Sequence, residues 1–376
     1  MIKYLKINYL HNVYIWHSNC LRQYIENVAF VGKHSQASLE LITFMLLGKD
    51  GRMKNRHSGR IGLGIALVAM TGSLFTFASQ VEAKKVKVEL TAVETEVIID
   101  GKGTTYKAWT FNGQVPGPVV RVTEGDQVHF ILKNHENNSR PHSMDFHAAE
   151  TDFLANYRDV NPGESLEYVW EAKRPGVFAY HCGAFPMIQH IARGMFGAVI
   201  VDPKDASAMP KADREYVLVQ SELFTKDPDD VAAMMDAKND HVVFNGGVFK
   251  YDPVHATKGG EFLTAKPGDR VRFYFVNIGP NNFSSLHPIA EIWDDVWPSG
   301  NPANRMQGVQ TQVIGAADGA ILDVVVEQKG VYPIVTHSLK DALTGAIALL
   351  EVSDEAKDLA LMPSVGPKAT EKIAQK

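Results

Sequence analysis

The chain is 376 residues long, enough for two or more domains that each bury a core. Hydrophobic residues make up 45% and charged residues 22%, the balance of a soluble globular protein. A net charge of −5, with no cluster of Lys and Arg interleaved with aromatics, excludes a nucleic-acid-binding surface.

Residues 1–52 show no sustained hydrophobic period and read as an extension ahead of the true start. A secretion pattern begins at Met53. Lys54, Arg56 and Arg60 form a positive n-region, Ile61 to Phe77 is apolar, and Val81-Glu82-Ala83 offers small residues for cleavage. The apolar stretch is short for a membrane span and carries Gly62, Gly64, Thr71, Gly72 and Ser73. The expectation is a signal peptide over 53–83, a mature chain from Lys84, and a periplasmic or otherwise extracytoplasmic location.

From Lys84 onward, short alternating or β-branched runs are bounded by Gly, Pro, Asn and Asp: Val86–Leu90, Val97–Ile99, Val119–Val122, Val128–Lys133, Leu166–Trp170, Val177–Tyr180 and Ala198–Val201. Strands at this spacing predict an all-β sandwich or barrel. Helical periodicity is scarce, and Pro228–Met235 is the best short candidate. The pattern then repeats. Phe111-Asn112-Gly113 recurs as Phe244-Asn245-Gly246, Glu124-Gly125-Asp126 as Pro267-Gly268-Asp269, and Pro175-Gly176-Val177-Phe178 as Lys329-Gly330-Val331-Tyr332. Order is kept while the loops lengthen, which predicts two similar β-domains over 84–203 and 213–353. A Pro/Asp/Lys-rich linker (204–212) joins them, and a charged tail (354–376) reads as a solvated extension.

The chain has 2 cysteines, and Cys20 precedes the secretion pattern, so the mature protein keeps Cys182 alone. A single thiol in an oxidising compartment forms no internal disulfide, and metal ligation is a reason to keep it. Cys182 opens the pattern Cys-x7-His-x4-Met, completed by His190 and Met195, with His142 upstream. Two imidazoles, a thiolate and a weak axial thioether are the ligands of a blue-copper electron-transfer site. Core packing would account for a lone Cys or Met, but not for this spacing at the end of a β-domain.

A second set surrounds the first. His181 is adjacent to Cys182 on a strand, so its side chain points to the opposite face and is available, with His147, to another metal. His337 falls near the place in the second repeat that Cys182 holds in the first. Three imidazoles with an open position make a site where a small anion binds. Asp145, between the ligand groups, and His287, the second repeat's counterpart of His142, have the chemistry to relay protons to it. A hydrogen-bonded surface histidine is the plainer reading of each, and it is fairest for His337, which rests on the repeat alignment.

With these residues the chain resembles the copper-containing nitrite reductases, from about Val86 to Val352. Trp109-Thr110-Phe111-Asn112-Gly113-Gln114-Val115-Pro116-Gly117-Pro118 is shared more widely with multicopper proteins, and the segments His142–His147 and His181–Met195 are the specific part. The resemblance implies two tandem cupredoxin-like Greek-key β-sandwich domains in a homotrimer, with two copper ions per subunit. His142, Cys182, His190 and Met195 would bind type 1 copper. His147 and His181, with His337 of a neighbouring subunit, would bind type 2 copper. Asp145 and His287 would be the acid–base pair, and Ile289 would look onto nitrite. A small donor protein, a cupredoxin or a c-type cytochrome, would supply the electron. The loop Gly183–Gln189 departs from the proline-rich, tryptophan-containing loop of many members, and Met144 and Pro288 depart as well.

Three rivals are weighed against this. A two-domain laccase-like multicopper oxidase needs His-x-His pairs, and none occurs. A blue-copper electron carrier would use the Cys182 site alone. An adhesive sandwich without catalysis leaves Cys182 and its partners unexplained.

Overall fold

The computed structural model describes residues 83–256, 258–357 and 364–365. Apart from Ala83, the expected signal peptide lies outside the described residues, as do the extension ahead of it and most of the tail.

Eight strands come from the first repeat: β1 (Lys85–Ile98), β2 (Thr105–Phe111), β3 (Val119–Thr123), β4 (Gln127–Asn134), β5 (Asp145–Phe146), β6 (Ser165–Glu171), β7 (Gly176–His181) and β8 (Phe196–Asp202). The second repeat gives β9 (Arg214–Leu223), β10 (His241–Phe244), β11 (Leu263–Ala265), β12 (Arg270–Gly279), β13 (Ser284–Pro288), β14 (Trp293–Pro298), β15 (Met306–Val309), β16 (Gln312–Ile314), β17 (Asp318–Val325), β18 (Gly330–Thr336) and β19 (Ile347–Val352). A last strand, β20 (Ser364–Val365), follows. The helices are single turns or little more: α1 (Phe153–Asn156), α2 (Met187–Ala192), α3 (Val231–Met235) and α4 (Leu339–Leu343).

Alternation explains the strands. Along β1, Val86, Val88, Leu90 and Ala92 turn inward while Lys85 and Lys87 face solvent. In β6, Leu166, Tyr168 and Trp170 do the same. The expected runs Val86–Leu90 and Val97–Ile99 belong, up to Ile98, to one strand, because Ala92 to Ile98 continue the ladder against β2. The expected helix at Pro228 begins at Val231, where the Asp230 carboxylate accepts from the Ala233 N–H as its N-cap.

The two repeats fold alike. Sheets β2-β1-β4-β6 and β20-β3-β8-β7-β5 form the first sandwich, and β10-β9-β12-β17-β14-β15 and β11-β19-β18-β13-β16 the second. The parallel pair β1/β4 is matched by β9/β12, the parallel pair β3/β8 by β11/β19, and antiparallel β7/β8 by β18/β19. This is a pair of cupredoxin-like β-sandwiches. The tail is not wholly a solvated extension, since Ser364–Val365 pair in parallel with Val119–Val120.

Each sandwich has its own core, Phe111, Phe130, Phe146 and Trp170 in the first and Phe244, Phe273, Phe275 and Trp293 in the second. A third core joins them. Val177 and Ala179 of β7 and Ala198 and Ile200 of β8 cluster with Val219, Val276, Trp297 and Ile321 of the second sandwich. At its margin Arg121 donates to both Asp202 oxygens (2.9 and 2.8 Å) and reaches Glu215 of the second sandwich at 2.7 Å.

Candidate metal centres

The first centre closes around the turn between β7 and β8. The Cys182 N–H donates to the Met195 carbonyl (3.0 Å), and the Met195 N–H donates to the His190 carbonyl (3.1 Å), so the loop is cinched at its base. His190 rides on α2 rather than on an extended loop. His142 likewise is not on a strand. It forms an isolated bridge with Val160, and its own N–H donates to the Val160 carbonyl at 3.0 Å. Pro141, which has no N–H to offer a ladder, precedes it. The Asn134 amide fixes this segment by donating to the carbonyls of Arg140 and Val160, both at 2.9 Å.

The donor atoms form a tight triangle. Cys182 Sγ lies 3.2 Å from His190 Nδ1 and 4.0 Å from His142 Nδ1, and the two Nδ1 atoms are 3.2 Å apart. The point equidistant from all three lies about 2 Å from each, which is metal–ligand bond length. His142, Cys182, His190 and Met195 are all fully buried, and Met195 packs in the same core as Cys182. Burial lowers His142 to a pKa of about 4 and His190 to about 3, and raises the Cys182 thiol to about 11. Two neutral imidazoles thus aim lone pairs at a shared point, and a bound cation would displace the thiol proton there. The donor set and its spacing fit copper.

The loop is braced from outside. The Ser143 N–H points at Cys182 Sγ (3.2 Å), and the Gly183 N–H donates to Ser143 Oγ (2.9 Å). The Trp109 indole lies 4.6 Å from the His190 ring, with the Arg193 guanidinium 4.7 Å over its face. Asp229, from the second repeat, accepts from Gln189 Nε2 (3.0 Å) and Arg193 Nη1 (2.7 Å), gripping the loop on both sides of His190. Ser143 and Asp229 carried no spacing signal in the sequence, because their roles depend on the third dimension.

The second group is Asp145, His147 and His181, whose ligand atoms all lie within 4.8 Å of one another. β5 and β7 place it: Asp145 stands opposite His181 in the ladder, and the His147 N–H donates to the Ala179 carbonyl (3.1 Å). His147 Nε2 and His181 Nε2 are 3.0 Å apart. His181 Nδ1 faces the Cys182 carbonyl at 3.1 Å, and a carbonyl only accepts, so Nδ1 carries the proton and Nε2 presents its lone pair. Burial, then the neighbouring His147, hold His181 below its ordinary pKa. His147 is exposed and Asp145 half-buried, so this centre opens outward. Behind Asp145, burial and then that carboxylate push Tyr157 up to about 12.

His287, Ile289 and His337 gather elsewhere. His287 is on β13, and His337 directly follows β18, with their rings 5.4 Å apart. His287 Nδ1 donates to the Gln310 carbonyl at 2.7 Å, while Ile289 and His337 are exposed. Among the described residues, His337 joins neither ligand group, and the His287–His337 pair stands apart from Asp145, His147 and His181.

The multicopper oxidase family model matches residues 92–206. The copper-containing nitrite reductase of Neisseria meningitidis is 36% identical over 278 residues, covering 71% of this chain and 69% of its own length. That of Alcaligenes xylosoxydans is 35% identical over 310 residues, covering 76% of this chain and 93% of its own. Among solved structures, copper nitrite reductase from Nitrosomonas europaea superposes with a TM-score of 0.72 at 57% identity, covering 75% of this chain and 97% of that one. With the donor set of Cys182 and its histidines, these likenesses place the chain in the copper-containing nitrite reductases, two-domain cupredoxins of the multicopper oxidase superfamily, as an oxidoreductase that reduces nitrite.

Proposed function

We propose that nitrite is converted to nitric oxide by one electron and two protons, with water as the other product, at a type 2 copper fed from a type 1 copper. The observation that carries this reading is that Cys182 and His181, consecutive in the chain, belong to separate ligand groups. His142, Cys182, His190 and Met195 would hold type 1 copper, and His147 and His181, with His337 of a neighbouring subunit, type 2 copper. Copper supplies the one-electron chemistry that none of the side chains can. The rest falls to the protein. The Cys182–His181 peptide unit is the covalent path between the centres. Asp145 sets a carboxylate beside the open face of His147 and His181, where it can pass a proton to a bound anion. His287, tied through Nδ1 to the Gln310 carbonyl, keeps Nε2 for a second proton. Ile289 offers an apolar wall that limits the pocket to a small anion.

A homotrimer brings the His287–His337 part of one subunit onto the Asp145–His147–His181 part of the next, as a heterologous ring of three permits. The electron would come from a small cupredoxin or c-type cytochrome, in an extracytoplasmic compartment. The test is anaerobic nitric oxide release by copper-loaded protein starting at Lys84, with nitrite and a reduced mediator. Sustained release that His147→Ala abolishes supports the reading. No release from protein with two coppers per chain points to another substrate, and no release with one copper per chain points to an electron carrier.

A further inference from the structure

We infer that Glu94 is a positioning residue for the first centre, its carboxylate facing the outer nitrogen of His142 and lowering the reduction potential of copper held there. The inference rests on the reading of His142, Cys182, His190 and Met195 as a copper site. His142 turns Nδ1 toward Cys182 and His190, so in the neutral ring the proton sits on Nε2. That Nε2 is buried and has no hydrogen-bond partner. Glu94 Oε1 stands 3.6 Å from it, a few tenths of an ångström beyond a hydrogen bond, on a side chain only 20% exposed.

The carboxylate is not a mobile surface group. Oε1 accepts from the N–H groups of Ser139 (2.9 Å) and Arg140 (3.1 Å), and Oε2 accepts from Ser139 Oγ (2.8 Å). The Glu94 N–H donates to Asn138 Oδ1 at 2.9 Å. Glu94 therefore ties β1 to the turn that delivers His142 and, with the same oxygens, presents a fixed negative charge to the ligand. A carboxylate behind a metal-bound imidazole orients the ring and raises its basicity, which favours the more highly charged metal. The opposing charges are Arg140 and Arg193, whose guanidinium groups lie 5.6 and 4.7 Å over the Trp109 ring beside the same histidines.

The test is Glu94→Gln, which keeps the shape and an acceptor oxygen for the turn but removes the charge, read by spectroelectrochemical titration of the thiolate–copper band. At a fixed ambient potential the ratio of reduced to oxidised copper should rise about tenfold, equivalent to about 59 mV, with the band retained. Ser139→Ala loosens the turn but leaves the charge, and should not move the potential. An unshifted Glu94→Gln potential, or an equal shift in Ser139→Ala, overturns the inference. If Glu94→Gln fails to hold copper, proton NMR of the Cu(I)-loaded wild type decides. The His142 Nε2 proton should lie downfield of the His190 Nε2 proton, which is buried without a partner, and coincident resonances overturn the inference. A wild type that takes up copper without the band removes the copper site itself, and this inference with it.

Discussion

Replacing Gly197 by alanine would drive a methyl group into the ring of Tyr180. A Cβ at position 197 would sit 2.4 Å from Tyr180 Cζ and Oη and 2.5 Å from Cε1, more than 1 Å inside the roughly 3.5–4.0 Å optimum for carbon contacts. The ring has nowhere to retreat. Tyr180 is fully buried, its hydroxyl donates to the Pro118 carbonyl (2.8 Å), and Phe111 and Phe146 pack at 5.6 and 5.5 Å. Overpacking of this kind costs about 1–3 kcal/mol. Losing glycine from the unfolded chain returns about 0.4–1 kcal/mol, because Gly197 lies in β8 outside the left-handed region. The net loss of about 1–2 kcal/mol should lower the melting temperature by a few degrees, at roughly 2 °C per kcal/mol for a chain this size. Since Tyr180 precedes His181 and Cys182, the visible band should shift as well. Thermal melts of the wild type, Gly197→Ala, Tyr180→Leu and the double variant give the coupling. In the Tyr180→Leu background the added methyl group should cost almost nothing. A Gly197→Ala protein that melts with the wild type would refute the steric reasoning.

Asp145→Asn should retain the band and both coppers yet lose nitrite turnover, measured as nitric oxide release; full activity would discard the proton role. His142→Ala should abolish the band, and a coloured variant would mean that another residue completes the centre. Asp229→Ala should release the grip on Gln189 and Arg193. Because the Asp229 side chain is 64% exposed, the stability cost is held to about 1 kcal/mol, but loss of the first copper to a chelator should quicken. Metal-free protein should weaken in mild acid. His142 and His190 titrate near 4 and 3 when folded and near 6.5 when unfolded, so between those values the unfolded chain binds more protons. Stability then rises with pH by up to about 1.4 kcal/mol per unit for each histidine, and denaturant midpoints that stay flat from pH 4 to 6.5 would contradict this.

Residues whose chemistry is intrinsic could be read from the sequence. A thiol, two imidazoles and a thioether at Cys182, His142, His190 and Met195 declare a soft metal site by type and spacing alone. Alternation in β1 and β6, and the recurrence of Phe-Asn-Gly, exposed the strands and the repeat. What stayed hidden depends on distant chain segments. The turn of helix at Met187–Ala192 is too short to show a period. Glu94 is one more polar residue on an alternating strand until folding brings the Asn138–Arg140 turn onto it. Asp229 reads as a loop carboxylate until α3 packs beside α2. The pairing of Ser364–Val365 with β3 has no local signature, for two residues carry no pattern.

The third core bears on attempts to carve out a small blue-copper module. β7, which ends at His181 just ahead of Cys182, turns Tyr180 into its own sandwich and Val177 and Ala179 toward the neighbouring one. Cut away the second sandwich, and Val119, Val177, Ala179, Ile191, Ala198 and Ile200 become a contiguous oily patch alongside the strand that leads into His181 and Cys182. An isolated first half would self-associate through that patch unless most of those positions were rewritten as polar. The second sandwich thus serves as the lining of the first, covering the face of β7 and β8 that backs onto the loop from Cys182 to Met195.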